Sequence, residues 1–203
     1  MEQPVGLVLC GGSSSRLGVD KSTIDYHGMP QWRYVAWMLS KGCDEVLVSC
    51  NAQQAAGFAR DARLLKDTSI CADDARFGGR GPMSGVLTAM ELRPAVALLV
   101  VGCDYPLLEP TDLETLLQAR TETCDAVCYQ VRSENLDLPF PAIYTPTIRS
   151  ALVKLFEEGD YSLRTGLKHG RTIRLDPPNP DRLVSANTPE EVSKIQKLVS
   201  KQT

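Results

Sequence analysis

The chain alternates between short apolar runs and segments of helical period. Runs rich in Val, Leu and Ile predict strands at residues 5–10, 45–50, 64–66, 95–101, 126–131 and 172–175, and residues 139–144 are expected to be extended. Apolar residues recurring every three or four positions predict helices at 31–41, 85–92 and 111–120. This alternation is typical of crossover units, so we expect an α/β fold: a Rossmann-like three-layer sandwich with a mostly parallel sheet.

Capping signals indicate where three helices begin in the second half of the chain. Each signal is an N-cap threonine followed by a proline, by a glutamate three residues later, or by both: Thr111 with Glu114; Thr145 with Pro146; Thr188 with Pro189 and Glu191. The second of these helices is expected to run to about residue 158 and to end at Gly159. Three prolines within residues 176–180 exclude a helix or a central strand there, so we expect a surface loop.

Composition and charge narrow the class of protein. The chain has 203 residues, of which 43% are hydrophobic and 23% charged, as expected for a single domain spanning 1–203. A net charge of −3 does not indicate a positively charged surface that would bind a nucleic acid backbone. No apolar run is long enough for a membrane span or a secretory leader. Seven dispersed cysteines without a C-x-x-C pair, together with only two histidines, exclude a zinc site or a thioredoxin-like motif. We therefore expect a cytoplasmic protein that contacts neither nucleic acid nor membrane.

The connection after the first predicted strand, residues 10–21, has the composition of a phosphate-binding loop. About 20 residues separate this strand from the next helix, whereas most connections in compact domains have about 4–6 residues. Its glycines allow a ligand to approach the backbone, its serines add hydrogen-bond donors, and Arg16 and Lys21 supply two cations for phosphate oxygens. The glycine spacing fits neither the P-loop nor the dinucleotide fingerprint. We interpret the segment as a phosphate cradle of another type.

Asp104 is a second candidate, because it follows the most continuously apolar run of the chain. Ligands of open α/β sheets bind outside the carboxyl ends of strands, so an acid at this position should face the crevice. Mg²⁺ characteristically uses one or two carboxylates together with substrate oxygens. Asp104 is therefore predicted to hold Mg²⁺ as the cofactor, and an acid that only caps the following turn is the alternative.

A second glycine-rich stretch, residues 76–85, leads into the predicted helix at 85–92. It contains two arginines, and the exposed amides of a helix N-terminus favour anions or polar base edges. A lid over a ligand and a plain turn are both compatible with this composition.

The sequence L-C-G-G-x-S-x-R-L-G-x-D-K at residues 9–21 resembles the L-A-G-G-x-S-x-R-M-G-x-D-K signature of the MobA-like nucleotidyltransferases. Further matches follow in the family's order: G-P-M-S-G at 81–85 for G-P-L-A-G, C-D-Y-P at 103–106 for C-D-x-P, P-A-I-Y at 141–144 and N-T-P-E-E at 187–191. The resemblance covers nearly the whole chain. It implies the fold of nucleotide-diphospho-sugar transferases, with a nucleotide-binding half at about 1–110 and an acceptor-binding half at about 111–203.

The resemblance also implies roles for individual residues. The nucleotide site would comprise Leu9, Cys10, Gly11, Gly12, Lys21, Asn51, Asp67, Gly81 and Asp104, with Asn51 ending the second strand and Asp67 following the third. Arg16, Lys21 and Asp104 would be catalytic, Asp104 would bind Mg²⁺, and Asn187 would contact the acceptor. Cys10 and Ser185 depart from the family pattern, which has alanine and asparagine at these positions, and the stretch before Gly81 is longer than usual.

The family's activity implies transfer of GMP from Mg-GTP to the phosphate of molybdopterin, giving molybdopterin guanine dinucleotide and pyrophosphate. Other proteins of molybdenum cofactor synthesis are candidate partners. The C-G-G sequence at residues 10–12 favours guanine, because cytidylyl relatives have an A-A-G form there. Alternatives are cytidylyl transfer to the same pterin, nucleotidyl transfer to a sugar or polyol phosphate, and a catalytically silent nucleotide-binding module. Tyr161, Arg164 and Lys168 have helical spacing and are further acceptor-side candidates, or an ordinary solvated face.

Overall fold

Seven strands form one sheet in the part of the chain that the structure describes. The computed structural model describes residues 2–10, 18–62, 65 and 67–200. In chain order the strands are β1 (Val5–Leu9), β2 (Val46–Cys50), β3 (Thr68–Ala72), β4 (Leu98–Gly102), β5 (Ala126–Val131), β6 (Leu136–Tyr144) and β7 (Thr172–Leu175). Their order across the sheet is β3-β2-β1-β4-β6-β5-β7, and β6 runs antiparallel to both of its neighbours. The remaining pairs are parallel, so the expected α/β class with a mostly parallel sheet is confirmed.

Helices cover both faces of this sheet. They are α1 (Gln31–Leu39), α2 (Ala52–Ala62), α3 (Pro82–Leu92), α4 (Pro110–Ala119), α5 (Arg149–Glu157), α6 (Leu163–His169) and α7 (Pro189–Val199). Apolar residues of α1 and α4 share one core cluster with Val8 and Val101, whereas α3, α5 and α6 share another with Leu7 and Val100. Because adjacent residues of β1 and β4 enter opposite clusters, the central strands are covered on both faces. No helix within the described ranges is long and apolar enough to cross a membrane.

The C-terminal helix brings the end of the chain close to the segment that follows β1. A small third cluster joins Ile195 and Val199 of α7 to Ala186 and Tyr26. As predicted, Thr188 caps this helix and Glu191 completes the capping box. This packing joins the two halves of the chain beside the candidate site.

Leu65, the one described residue of the strand predicted at 64–66, is not in a strand. The third strand is Thr68–Ala72, whereas Leu64 and Lys66 lie outside the described residues. The strand lies at the edge of the sheet and pairs with β2, and Cys71 is its one buried residue. Its sequence, T-S-I-C-A, therefore lacks the continuous apolar run that marks a buried strand.

Several helix boundaries also differ from the prediction. Helix α4 begins at Pro110, with Glu109 as N-cap and Asp112 completing the capping box, because proline occupies the first helical position in place of Thr111. The helix predicted from Thr145 is a 3₁₀ turn, Pro146–Ile148, followed by α5. Helix α3 begins at Pro82, three residues earlier than expected. Helix α2 was not predicted, because the apolar face of its sequence, A-Q-Q-A-A-G-F-A-R-D-A, consists of alanines and one large residue, Phe58.

Candidate active site

The carboxyl ends of β1, β2, β3 and β4 lie along one edge of the sheet, because these four strands are parallel neighbours. The chain leaves this edge through Cys10 after β1, Asn51 after β2, Asp73 after β3 and Asp104 shortly after β4. Open α/β sheets bind their ligands outside this edge. Three of the four residues are predicted site residues, and Asp73 is not among them.

Leu9 and Cys10 end β1 beside the end of β4. Leu9 lies opposite Gly102, and the Sγ atoms of Cys10 and Cys103 are 3.4 Å apart. Both cysteines are buried free thiols. Burial, with a contribution from Cys103, raises the pKa of the Cys10 thiol well above its ordinary value. The thiol that replaces the family's alanine is therefore neutral, and it keeps this side of the site small and uncharged.

Helix α3 approaches the ends of β1 and β2 closely because Gly85 has no side chain. A Cβ at this position would lie 2.4 Å from Ser49 Oγ and 2.8 Å from Leu9 Cδ2. Gly81, predicted to bind nucleotide, is the N-cap of α3 with φ of 73°, a conformation that favours glycine, and Pro82 follows at the first helical position. The G-P-M-S-G motif thus begins a helix whose N-terminus lies at the ligand-binding edge, because the helix connects two parallel strands.

Asp104 is positioned by the space left beside Gly102 and by a hydrogen bond from the C-terminal part of the chain. A Cβ at Gly102 would lie 2.4 Å from Asp104 Oδ1, so the carboxylate occupies space that a side chain would fill. The N–H of Ala186 donates to the Asp104 carbonyl oxygen at 2.8 Å. Burial raises the pKa of the Asp104 carboxyl, and the charge of Lys21 opposes this shift. Burial, together with the charge of Asp104, raises the pKa of Tyr26 to about 12. The carboxylate is therefore poorly solvated, and a cation would stabilise it.

Lys21 contacts Asn187 across 166 positions of sequence. Its Nζ donates to Asn187 Oδ1 at 2.5 Å. Asn187 is oriented by two further hydrogen bonds, from its Nδ2 to Ser185 Oγ and from its N–H to Glu191 Oε2, each at 2.7 Å. The Ser185 hydroxyl oxygen accepts from the Asn187 amide and so directs the Asn187 oxygen toward the lysine. The structure therefore brings the predicted catalytic lysine and the predicted acceptor contact together.

The turn that carries Lys21 is capped from within the same segment. Asp20 is the N-cap of the 3₁₀ turn Lys21–Thr23, and its Oδ1 accepts from the N–H of Ser22 at 3.0 Å and from its hydroxyl at 2.6 Å. The predicted residues Gly11, Gly12 and Arg16 lie outside the described residues.

Asn51 has a structural role at the end of β2. Its Oδ1 accepts from the N–H groups of Gln53 and Gln54 at 2.9 and 3.0 Å, which caps the start of α2. The residue is exposed. Within the described part of the chain no hydrogen bond engages its Nδ2, so this donor is available to a ligand.

Asp67 lies away from the other candidate residues. The prediction that it follows the third strand is wrong: it immediately precedes β3, and its carbonyl oxygen accepts from the N–H of Val46 at the start of β2. It therefore lies at the amino edge of the parallel strands, opposite Cys10 and Asp104.

Asp73 is the acid that follows β3 at the ligand-binding edge. Its Oδ1 accepts from Ser49 Oγ at 3.2 Å, and burial raises the pKa of its carboxyl. Sequence reasoning missed Asp73 because it placed the third strand too early. The sequence does contain a signal for Asp73, because it is an acid that lies between a short apolar run and the second glycine-rich stretch.

The acceptor-side candidates belong to two elements. Arg164 and Lys168 lie in α6, whereas Tyr161 precedes that helix. The guanidinium carbon of Arg80 lies 5.1 Å from the centre of the Tyr161 ring, and Arg164 Nε donates to the Asp137 carbonyl oxygen at 3.0 Å. Through Arg80, the second glycine-rich stretch therefore contacts the carboxyl half of the chain.

The residues of this edge fit a divalent cation held by one protein carboxylate. Within the described ranges, no three His, Cys, Asp or Glu side chains form a group that could hold a metal by themselves. Mg²⁺ keeps several waters and binds through one or two carboxylates and substrate phosphates. Asp104 provides such a carboxylate, because a bound cation would offset the desolvation that raises its pKa.

Comparison with known sequences identifies a family and several relatives. The family model described as MobA-like NTP transferase domain matches residues 6–174. A molybdenum cofactor biosynthesis bifunctional protein of Synechocystis sp. is 32% identical over 194 residues, which are 94% of this chain and 53% of that protein. This chain thus spans about half the length of that relative. A molybdenum cofactor guanylyltransferase of Shewanella sp. (strain ANA-3) is 27% identical over 191 residues, which are 93% of each chain.

Solved structures with low sequence identity share the fold. Molybdopterin-guanine dinucleotide biosynthesis protein A from Archaeoglobus fulgidus has a TM-score of 0.78 at 20% identity, covering 97% of this chain and 99% of that one. A nucleotidyl transferase from Methanothermobacter has a TM-score of 0.77 at 18% identity, covering 100% of both chains. These likenesses show the nucleotidyltransferase fold expected from the sequence.

Proposed function

This chain belongs to the MobA-like NTP transferase family, and from that premise we propose that it transfers GMP from magnesium-bound GTP to the phosphate of molybdopterin. The products are molybdopterin guanine dinucleotide and pyrophosphate. Family membership makes the chain a nucleotidyltransferase. The names of a guanylyltransferase in Shewanella and of a molybdenum cofactor biosynthesis protein in Synechocystis support the guanine and pterin assignments.

One observation carries the proposal: Lys21, Asp104 and Asn187 come together from three distant parts of the chain. Asp104 binds the backbone of Ala186 through its carbonyl oxygen, and the next residue, Asn187, accepts a hydrogen bond from Lys21. The charge of Lys21 also acts on the Asp104 carboxyl. A cation, a carboxylate and an amide thus lie near one another at the carboxyl edge of the sheet, as a transfer between two phosphate-bearing substrates requires.

The chemistry demands charge compensation more than proton transfer. The terminal phosphate oxygen of the acceptor is ionised at neutral pH, so the reaction needs no general base. The barrier lies in bringing two anions in line at the α-phosphorus. Lys21 would place one positive charge at the triphosphate, Asp104 would hold the divalent cation, and Arg16 would provide a second protein cation. Bound Mg²⁺ supplies neutralisation of the charge that develops on the α-phosphate and on departing pyrophosphate.

The acceptor is assigned to the carboxyl half of the chain, about residues 111–203, and the nucleotide to about residues 1–110. Asn187 connects the two halves because it lies within a hydrogen bond of Lys21. A phosphate oxygen that contacts both side chains would therefore lie at the boundary between the two substrates. Asp73 replaces Asp67 in the proposed nucleotide site, because Asp73 lies at the same strand edge as Asn51.

The cellular setting is part of the same proposal. All seven cysteines are free and buried, which fits a reducing cytoplasm. The name of the Synechocystis relative, a molybdenum cofactor biosynthesis bifunctional protein, supports another protein of molybdenum cofactor synthesis as a partner.

Calorimetric titration with each of the four ribonucleoside triphosphates and Mg²⁺, on the wild type and on Asp104→Ala, tests the nucleotide assignment. We expect a magnesium-dependent preference for GTP that the variant loses. A preference for CTP would redirect the proposal to cytidylyl transfer, and no binding of any triphosphate would contradict it.

A further inference from the structure

The side chain of Gln54 joins both ends of the connection that follows β1. Its Nε2 donates to Asp20 Oδ2 at 2.5 Å and to the Cys10 carbonyl oxygen at 3.4 Å. Its Oε1 accepts from the N–H of Asn51 at 3.1 Å. This half-buried amide in the first turn of α2 therefore contacts Cys10 after β1, Asp20 before the lysine turn and Asn51 after β2.

The contact with Asp20 reaches the candidate catalytic lysine. One carboxylate oxygen of Asp20 accepts from Ser22 and caps the turn that carries Lys21, and the other oxygen is held by Gln54. Because both oxygens have partners, the turn is tied to α2 as well as to its own segment. Loss of Gln54 would leave the turn its local cap and remove its connection to the sheet edge.

We propose that Gln54 is a positioning residue that fixes Cys10 and the turn carrying Lys21 relative to each other before a nucleoside triphosphate binds. This inference rests on the proposed function, because that function assigns Cys10 and Lys21 to the nucleotide site. Fixing the relative position of two parts of the chain costs conformational entropy. Because Gln54 holds both parts in the free protein, ligand binding no longer bears that cost. Gln54 acts through Asp20 and Cys10 and takes no part in the chemical step.

The alanine variant tests this role through separate effects on binding and turnover. Gln54→Ala is expected to raise the Kd and KM for GTP about 5- to 30-fold, the effect of losing a hydrogen bond to a charged group and a weaker one to a carbonyl. We expect kcat to change less than about threefold, because the lost contacts serve ground state and transition state alike. A merely structural defect in α2 would instead lower Tm and the active fraction while leaving KM unchanged.

Two further variants control the experiment. Gln53→Ala makes the same substitution at the neighbouring exposed position of α2, and it should leave GTP affinity within about twofold of wild type. Gln54→Glu sets a carboxylate against Asp20, so it should bind GTP more weakly than Gln54→Ala. Adding Asp20→Asn restores a donor and acceptor pair, and the double variant should recover at least about fivefold in affinity over Gln54→Glu.

Hydrogen exchange without nucleotide separates this inference from the proposed function. The amide of Ser22, which donates to Asp20, should exchange at least about threefold faster in Gln54→Ala than in wild type and Gln53→Ala. If wild-type protein binds no triphosphate, the proposed function fails, and faster exchange at Ser22 still supports the positioning role. Unchanged Ser22 exchange, or a GTP Kd within twofold of wild type in Gln54→Ala, overturns it.

Discussion

Replacing Asp104 with asparagine should stabilise the fold and slow the reaction. Burial raises the pKa of this carboxyl, while an internal backbone hydrogen bond and the charge of Lys21 act in the opposite direction. The pKa in the folded chain therefore lies above its unfolded value. Such a group contributes stability that is fully present below the unfolded pKa and is lost as the pH rises through the folded pKa. An amide of the same shape avoids the cost of placing a charge at this desolvated position.

The size of the effect follows from the balance of these contacts. The hydrogen bond and Lys21 offset part of the desolvation, so we expect Asp104→Asn to gain about 1 kcal/mol at pH 7, within the range for relieving strain at a functional site. For a chain of this length that gain raises Tm by about 2–4 °C. The same variant should lower the rate of transfer by about 10²- to 10³-fold, because it no longer holds the divalent cation as a carboxylate does.

The assay is chemical and thermal unfolding of both proteins at several pH values, in chelator and without nucleotide. The difference in stability should narrow as the pH falls and the wild-type carboxyl becomes protonated. Asp125→Asn is a control of opposite sign, because hydrogen bonds from Arg171 and Thr147 lower the pKa of Asp125. That variant should be less stable than wild type at pH 7, with the difference lost in acid. An Asp104→Asn protein that is less stable than wild type at pH 7 would refute the reasoning.

Three further substitutions test the site and its support. Asp73→Asn should weaken GTP binding about 5- to 20-fold. Asp67→Asn should leave GTP binding unchanged, and the fold should be kept because asparagine tolerates the φ of 52° at that position. Equal effects of the two variants on the GTP Kd in a titration would contradict the corrected assignment. Gly85→Ala should cost about 1–3 kcal/mol in urea unfolding because its Cβ meets β1 and β2, whereas Gly57→Ala, with open space around it in α2, should be neutral or stabilising. Lys21→Ala should lower kcat/KM about 10²- to 10³-fold in a pyrophosphate-release assay, and near-normal turnover would remove Lys21 from the mechanism.

The central part of the fold was predictable from local sequence. Strands β1, β2 and β4 are buried on both faces, so each appears as a mostly apolar run, and the acid that follows β4 could be assigned to the ligand-binding edge. The cap of α7 was also predictable, because Thr188 and Glu191 interact within one turn.

The remaining features depend on contacts that no local pattern contains. β3 is a half-exposed edge strand, so its position was missed and Asp73 with it. The hydrogen bond between Lys21 and Asn187 joins residues 166 positions apart, and their spacing gives no sign of it. Gln54 lies in a helix whose apolar face is mostly alanine, and nothing in the local sequence distinguishes it from an ordinary surface glutamine until the fold places Asp20 beside it.

Pyrophosphate release from GTP, Mg²⁺ and molybdopterin tests the central claim most directly. Guanylyl transfer should release one pyrophosphate per molybdopterin guanine dinucleotide formed, with no release when either GTP or molybdopterin is omitted. Tight binding of GTP without pyrophosphate or dinucleotide formation would contradict guanylyl transfer and identify the chain as a nucleotide-binding module without activity.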